Sequence, residues 1–361
     1  MARIGIACGG TGGHLYPGLA VAEILAGMGH EVRLYVSMKD IDRKILSRNP
    51  EFPSVPLPTI GWPGLGLKIF RFGAKFFEAC RLSSSEIRNE KLAAVLGMGG
   101  FTSAPLILSA SRSKVPTLLH ESNAIPGKVT RWLSSKAGKV LLGFAECGDW
   151  LPEGRTVLTG TPVRSSLRRV ERKAAASFWD LDPGKFTIGI IGGSQGAQGL
   201  NRLVILAMPY WEDLRDRVQF IHLTGPQECE LLQANYRRNS LEASVLPFCS
   251  VMENLYSAAD LVIGRSGAAS LAEISLFGLA SILVPYPHAA EDHQSKNASI
   301  YSDAGAARVV HEGNGSERRL AEEACLLFNN RNLLEKLAGK AGFLNPPHAA
   351  RRVAEEVQNV L

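Results

Sequence analysis

Two glycine-rich turns, one near the start of each half of the chain, constrain the fold more than any other feature. The first follows the apolar run 4–8 and reads Gly9-Gly10-Thr11-Gly12-Gly13-His14. The second follows 188–191 and reads Gly192-Gly193-Ser194-Gln195-Gly196-Ala197. Each joins an apolar run to an amphipathic stretch, the pattern of a strand, a tight turn and a helix whose N-terminus is open to an anion. Two copies about half a chain apart predict two similar α/β domains facing a shared cleft. The spacing also excludes two other loops. A dinucleotide fingerprint needs a third glycine where Leu15 stands, and a P-loop needs a Gly-Lys-Ser/Thr ending that neither turn has. The turns are expected to hold phosphate or sugar, or else to be plain strand–helix turns without a ligand.

The 361 residues suit two domains, and 45% hydrophobic content supplies two cores. A net charge of +6 favours an anionic partner. Phosphate ligands and an anionic membrane fit that charge better than nucleic acid, because no basic run is interleaved with stacking aromatics. The six cysteines are scattered without a C-x-x-C pair, as in a reduced cytosolic protein without structural zinc. The chain enters a strand almost at once, so no signal peptide is expected. No apolar run is long enough to span a bilayer, so any membrane contact is expected to be peripheral.

Short apolar runs alternate with helical patterns. Strands are predicted at 3–8, 31–36, 93–97, 117–120 and 139–143, then at 187–191, 219–223, 244–247, 261–264, 281–284 and 308–310. Strands separated by helix-length segments mean parallel, doubly wound α/β sheets. The rigid Thr159-Gly160-Thr161-Pro162 stretch places the boundary between domains 1–162 and 163–346. A terminal helix, 347–361, follows the Pro346-Pro347 break and could pack back on the first domain.

One segment breaks this rhythm. Residues 53–63 are proline-rich, and 64–77 is a basic apolar stretch. Leu65, Ile69, Phe72 and Phe76 recur at helical spacing, with Lys68, Arg71 and Lys75 on an adjacent face. Aromatics on one side and cations on the other suit an anionic bilayer surface. A core helix with solvated charges is the equal alternative.

The residues also carry a resemblance. Gly9–His14 with Pro17-Gly18-Leu19-Ala20, Gly97-Met98-Gly99-Gly100, His120-Glu121-Ser122-Asn123, Gly160-Thr161-Pro162-Val163-Arg164, Gly192–Ala197, and Arg265-Ser266-Gly267-Ala268 with Glu273 together resemble the MurG-type UDP-N-acetylglucosamine transferases of peptidoglycan synthesis. The motifs span essentially the whole chain in order. The resemblance implies a glycosyltransferase-B fold of two Rossmann-like domains. It implies inverting transfer of N-acetylglucosamine from UDP-N-acetylglucosamine to the C4 hydroxyl of undecaprenyl-diphospho-N-acetylmuramoyl-pentapeptide, at the cytoplasmic face of the inner membrane. No cofactor or metal is implied.

In such a transfer negative charge grows on a leaving diphosphate, and backbone amides at helix N-termini can stabilise it. The amides of Thr11, Gly12 and Gly13, the Ser194 turn, and Ala268, Ala269, Ser270, Leu271 and Ala272 are the expected donor contacts. Arg164 and Arg265 are cationic candidates, each as readily a structural salt bridge. Glu273 suits ribose hydroxyls, and the resemblance gives it that role. By the same resemblance the backbone at Cys249 reads the uracil edge, Met252 packs on the nucleoside, and Gln294 and Asn123 contact the donor sugar. His14 is the candidate base, because histidine titrates near the working pH; otherwise it only positions a substrate. Asp292 is read as a helix N-cap. Asp180-Leu181-Asp182 resembles a metal-binding D-x-D, but it precedes Pro183-Gly184 and reads as a turn.

Overall fold

The computed structural model describes residues 1–61, 68–193 and 196–361. Met1–Ser165 with Pro346–Leu361 form one compact unit, and Ser166–Asn345 form another.

The first unit holds a seven-stranded sheet. Its strands are β1 (Arg3–Ala7), β2 (Glu31–Ser37), β3 (Ser54–Leu57), β4 (Ala94–Gly97), β5 (Thr117–Glu121), β6 (Lys139–Leu142) and β7 (Thr156–Leu158). They pair in parallel in the order β3-β2-β1-β4-β5-β6-β7; Ile4, for instance, is in register with Val32 on one side and Ala94 on the other. The connections contain α1 (Gly12–Gly27), α2 (Asp40–Leu46), α3 (Lys68–Asn89), α4 (Gly100–Arg112) and α5 (Lys128–Leu133). Continuous apolar strands such as Arg3–Ala7 follow from burial on both faces. The terminal helix Ala349–Gln358 belongs to this unit. Val353, Ala354 and Val357 join the core that contains Leu15 and Leu19 of α1, and Lys139 pairs with Glu356 at 2.5 Å.

The sequence reading did not anticipate β3 and β7. Both are edge strands. Pro56 lies within β3, and an edge is where a strand tolerates a residue that cannot donate to the ladder.

The second unit holds β8 (Phe186–Ile191), β9 (Val218–Leu223), β10 (Glu242–Leu246), β11 (Leu261–Gly264), β12 (Ala280–Leu283) and β13 (Ala307–Val309), in the order β10-β9-β8-β11-β12-β13. Its helices are α6 (Arg172–Phe178), α7 (Gln198–Ala207), α8 (Cys229–Arg238), α9 (Met252–Ala258), α10 (Ala268–Phe277), α11 (His293–Asp303), α12 (Ser316–Asn329) and α13 (Arg331–Ala341). Ile188, Ile190, Trp211, Phe220, Leu261 and Ile263 are buried at its centre.

In both sheets the strand order reverses beside the first strand, between β1 and β4 and between β8 and β11. Ligands in open α/β sheets bind beyond the strand C-termini at such switch points. Both glycine turns lie there.

Candidate active site

In the first unit, β1 delivers the chain into a turn with no room for a side chain at Gly9. A Cβ on Gly9 would lie 2.2 Å from the Ser37 amide nitrogen, and Gly10 has φ +103°. Thr11 is the N-cap of α1, and no side chain caps that helix. The His14 amide already bonds to the Thr11 carbonyl at 3.2 Å, and the Gly12 and Gly13 amides ahead of it present partial positive charge. His14 closes this turn. Its Nδ1 lies 3.1 Å from the Thr11 hydroxyl. Its ring rests on Gly99 and Gly100, where added Cβ atoms would come within 3.3 and 3.1 Å of it. Those glycines, at φ +91° and +70°, make the space the imidazole occupies. When Nδ1–H donates to Thr11, Nε2 keeps a lone pair able to take a proton.

The loop after β5 is organised by Glu121. This buried carboxylate accepts bonds from the Asn123 amide (3.1 Å), the Asn123 side chain (3.1 Å), the Gly127 amide (3.0 Å) and the Thr130 hydroxyl (2.7 Å). It fixes Asn123 at the sheet's C-terminal edge. Fully buried His120 donates from Nε2 to the Gly160 carbonyl at 2.9 Å, and burial lowers its pKa, so it stays neutral. Arg164 lies in this unit, its guanidinium 4.2 Å from the Tyr16 ring centroid.

In the second unit, Gly193 and Gly196 have φ +89° and +79°. Ser194 falls outside the described residues, as does Leu65. Gly267 caps α10 in extended conformation with open space where a Cβ would be, and no side chain caps the helix. The amides of Ala268, Ala269 and Ser270 form its first turn. Leu271 and Ala272 lie deeper: the Leu271 amide bonds to the Gly267 carbonyl at 3.0 Å, and both side chains are buried. Glu273 is half-buried and accepts from the Tyr256 hydroxyl at 2.7 Å. Met252 opens α9, and Cys249 is buried just before it, its thiol pKa raised by burial.

Arg265 has a structural set of partners. It is buried, pairs with Glu312, and donates to the Val284 and Pro285 carbonyls at 3.0 and 3.1 Å. Gly199 leaves room for that pair: a Cβ there would reach 2.6 Å from Glu312. Gln294 accepts from the Tyr286 amide at 3.0 Å, and the Ser266 hydroxyl donates to the Gln294 carbonyl at 2.8 Å. Asp292 precedes α11 as expected, but at φ +52°, and its carboxylate accepts from the Ser295 hydroxyl at 2.6 Å instead of capping a backbone amide. Asp182 accepts from the Gly184 amide at 2.8 Å, the turn predicted for the D-x-D sequence.

Helix α3 begins at Lys68 and runs on to Asn89. Ile69, Phe72 and Phe76 are half-buried on its inner side. Phe72 packs edge-on against Phe101, and Phe76 lies 6.2 Å from Trp132, around an apolar groove that also includes Val129 and Lys128. Phe70 and Phe77 point outward, 75% and 72% exposed, beside exposed Arg71. Lys75 pairs with Glu78 at 2.7 Å. The outward apolar pair thus lies off the line of Ile69, Phe72 and Phe76 that the sequence spacing picks out. Among the described residues, no helix is long and apolar enough to cross a membrane.

Sequence reasoning gave no role to several residues that shape the site. Asp42, Tyr256, Asn297 and Glu312 are ordinary polar residues of helices or loops, and only the fold brings them behind the turns. Asn297, fully buried, donates to the Ser266 carbonyl at 3.1 Å. Asn201 of α7, also fully buried, donates to the Thr224 carbonyl at 2.8 Å and accepts from His222 at 3.1 Å.

Two doubly wound units, each with a glycine turn at its switch point, give the two-domain architecture of the B-type glycosyltransferases. Residues 4–142 match the glycosyltransferase family 28 N-terminal domain, and 187–352 match the family 28 C-terminal domain. The chain is 33% identical to the UDP-N-acetylglucosamine–N-acetylmuramyl-(pentapeptide) pyrophosphoryl-undecaprenol N-acetylglucosamine transferase of Thermodesulfovibrio yellowstonii, over 99% of both chains. It is 33% identical to the Myxococcus xanthus enzyme of the same name, over 98% of this chain and 92% of that one. The crystal structure of Acinetobacter baumannii MurG matches with a TM-score of 0.79 at 29% identity, covering 99% of this chain and 100% of that one. The chain belongs to the MurG family of N-acetylglucosamine transferases. A Neisseria meningitidis UDP-GlcNAc 2-epimerase shares the fold alone, at 13% identity and a TM-score of 0.70.

Proposed function

We propose that this enzyme transfers N-acetylglucosamine from UDP-N-acetylglucosamine to the C4 hydroxyl of undecaprenyl-diphospho-N-acetylmuramoyl-pentapeptide, with inversion. The observation that carries this reading is the end-to-end match to relatives named for that transfer. The second unit binds the nucleotide: the backbone at Cys249 meets the uracil, Met252 packs on the nucleoside, Glu273 takes the ribose hydroxyls, and the first-turn amides of α10 face the diphosphate. Gln294 and Asn123 contact the donor sugar. As the glycosidic bond forms, His14 takes the acceptor hydroxyl's proton on Nε2 while the pair of electrons leaves with UDP. Amides at helix N-termini stabilise the growing charge. Arg164 adds a cation on the first unit. Arg265 acts by holding the loop that precedes α10.

The acceptor's polyprenyl chain stays in the bilayer, so the enzyme works at the cytoplasmic face of the inner membrane. Phe70 and Phe77 with Arg71 and Lys75 of α3 form the docking face. Release of UDP that requires the lipid-linked acceptor tests the reading; acceptor-independent turnover of the nucleotide sugar would point to an epimerase instead.

A further inference from the structure

Asp42 lies on α2, outside every glycine motif, and is fully buried. Its Oδ2 accepts three hydrogen bonds: from the Gly10 amide at 2.8 Å, the Ser37 amide at 2.9 Å and the Ser37 hydroxyl at 2.6 Å. Its Oδ1 is buried with no hydrogen-bond partner among the described residues. Taking a carboxylate out of water is costly unless its acceptors are used, so an arrangement that leaves one oxygen bare calls for a reason. The reason lies in the turn. Gly9 is pressed against the end of β2 so closely that a Cβ would come within 2.7 Å of Asp42 Oδ2. On the other side, Lys39 donates to the Gly10 carbonyl at 3.0 Å. Both backbone polar groups of Gly10 are therefore held by side chains of the 39–42 segment. The inward amide is already satisfied by an internal anion, and the amides left for an external one are those of Gly12 and Gly13 in the first turn of α1. That turn ends at His14.

We infer that Asp42 is a positioning residue for the transfer. It acts through its acceptor oxygen, locking the turn so that the α1 N-terminus and the His14 imidazole are set against Gly99 and Gly100. This rests on the reading of His14 as the base, and it adds a residue that touches neither substrate nor reacting atoms.

Two substitutions in the full-length protein separate positioning from general support of the fold. Asn can place its carbonyl oxygen where Oδ2 sits and its nitrogen at the partnerless Oδ1 position. Ala removes the acceptor. Asp42→Ala is expected to lower kcat at least about tenfold, because small misplacements of reacting groups have large kinetic effects. Its UDP affinity by calorimetry is expected to stay within about twofold of the unsubstituted protein, since the contacts proposed for uracil, ribose and diphosphate lie in the other unit. Asp42→Asn is expected to keep kcat within about threefold. A kcat unchanged in Asp42→Ala overturns the inference. So does joint loss of kcat and UDP affinity, or an Asp42→Asn protein as slow as Asp42→Ala. Should Asp42→Ala fail to fold, Ser37→Ala removes one donor to the same oxygen: a severalfold lower kcat with unchanged UDP affinity supports the inference, and an unchanged kcat overturns it. An unsubstituted protein that transfers no sugar defeats the functional reading itself, a result distinct from all of these.

Discussion

The Tyr256 hydroxyl donates to Glu273 at 2.7 Å, tying the end of α9 to the second turn of α10. Tyr256 is itself buried and packed on Phe277 with ring centroids 5.1 Å apart. One oxygen of the carboxylate is thus aimed by a buried phenol. If that carboxylate holds the ribose, Glu273→Ala raises the donor KM about tenfold or more, since a hydrogen bond to a charged group is worth roughly 1.5–3 kcal/mol. Tyr256→Phe shows a smaller rise in the same direction. Steady-state kinetics with UDP-N-acetylglucosamine checks both; unchanged donor kinetics in folded Glu273→Ala removes the assignment.

His14→Ala lowers turnover by roughly two to four orders of magnitude if the imidazole takes the proton, while donor affinity by calorimetry changes little. Thr11→Val, which removes the partner of Nδ1, gives an intermediate loss. Glu121 is the residue to examine next as base. Its two oxygens are occupied by four donors, so Glu121→Gln is expected to disturb the Asn123 loop and leave the pH dependence of kcat in place. Near wild-type turnover of His14→Ala at saturating acceptor would show that His14 is not the base.

Replacing Lys68, Arg71 and Lys75 with glutamate weakens binding to anionic vesicles, each cation contributing about 1 kcal/mol near such a surface. Arg71 is expected to contribute more than Lys75, whose charge is shared with Glu78. Phe70→Ser with Phe77→Ser weakens vesicle binding as well, and raised salt mimics the charge loss but not the apolar loss. Activity on a short-chain, water-soluble acceptor survives in both variants. Vesicle sedimentation decides the matter: undiminished binding of both variants places the docking surface away from α3.

His222 and His120 are buried as neutral bases, and burial lowers both pKa values, that of His222 to about 3. In the unfolded chain each returns to about 6.5. Below that pH the unfolded state binds protons that the folded state refuses. Stability therefore falls as pH drops from about 6.5, approaching about 1.4 kcal/mol per pH unit for His222, with a loss in the same direction from His120. Denaturant midpoints measured between pH 7 and 4.5 check this. His222→Leu should flatten the slope even though it loses the Tyr236 and Asn201 hydrogen bonds; an equally steep slope in that variant would assign the acid sensitivity elsewhere.

The parts of the molecule that were legible in the sequence are those written in local pattern. The strands Arg3–Ala7 and Phe186–Ile191 announce themselves as apolar runs before glycines, and a doubly wound sheet follows from their spacing. What was not legible depends on contacts across the fold. The edge strand Ser54–Leu57 was hidden by its proline. Helical spacing picked out Ile69, Phe72 and Phe76, but only the packing of α4 and α5 decides that these turn inward while Phe70 and Phe77 face solvent. The same holds for Arg265, whose motif position left a ligand contact and a structural salt bridge equally open. Its partner Glu312 lies 47 residues further on (312 minus 265), and no local pattern links the two.

The most direct test of the function is mass analysis of the lipid product. The enzyme is incubated with UDP-N-acetylglucosamine and undecaprenyl-diphospho-N-acetylmuramoyl-pentapeptide in anionic vesicles. The account predicts a lipid heavier by one N-acetylhexosamine residue, with UDP released in equal amount and only when the acceptor is present. An unmodified lipid alongside consumed or epimerised nucleotide sugar would contradict it.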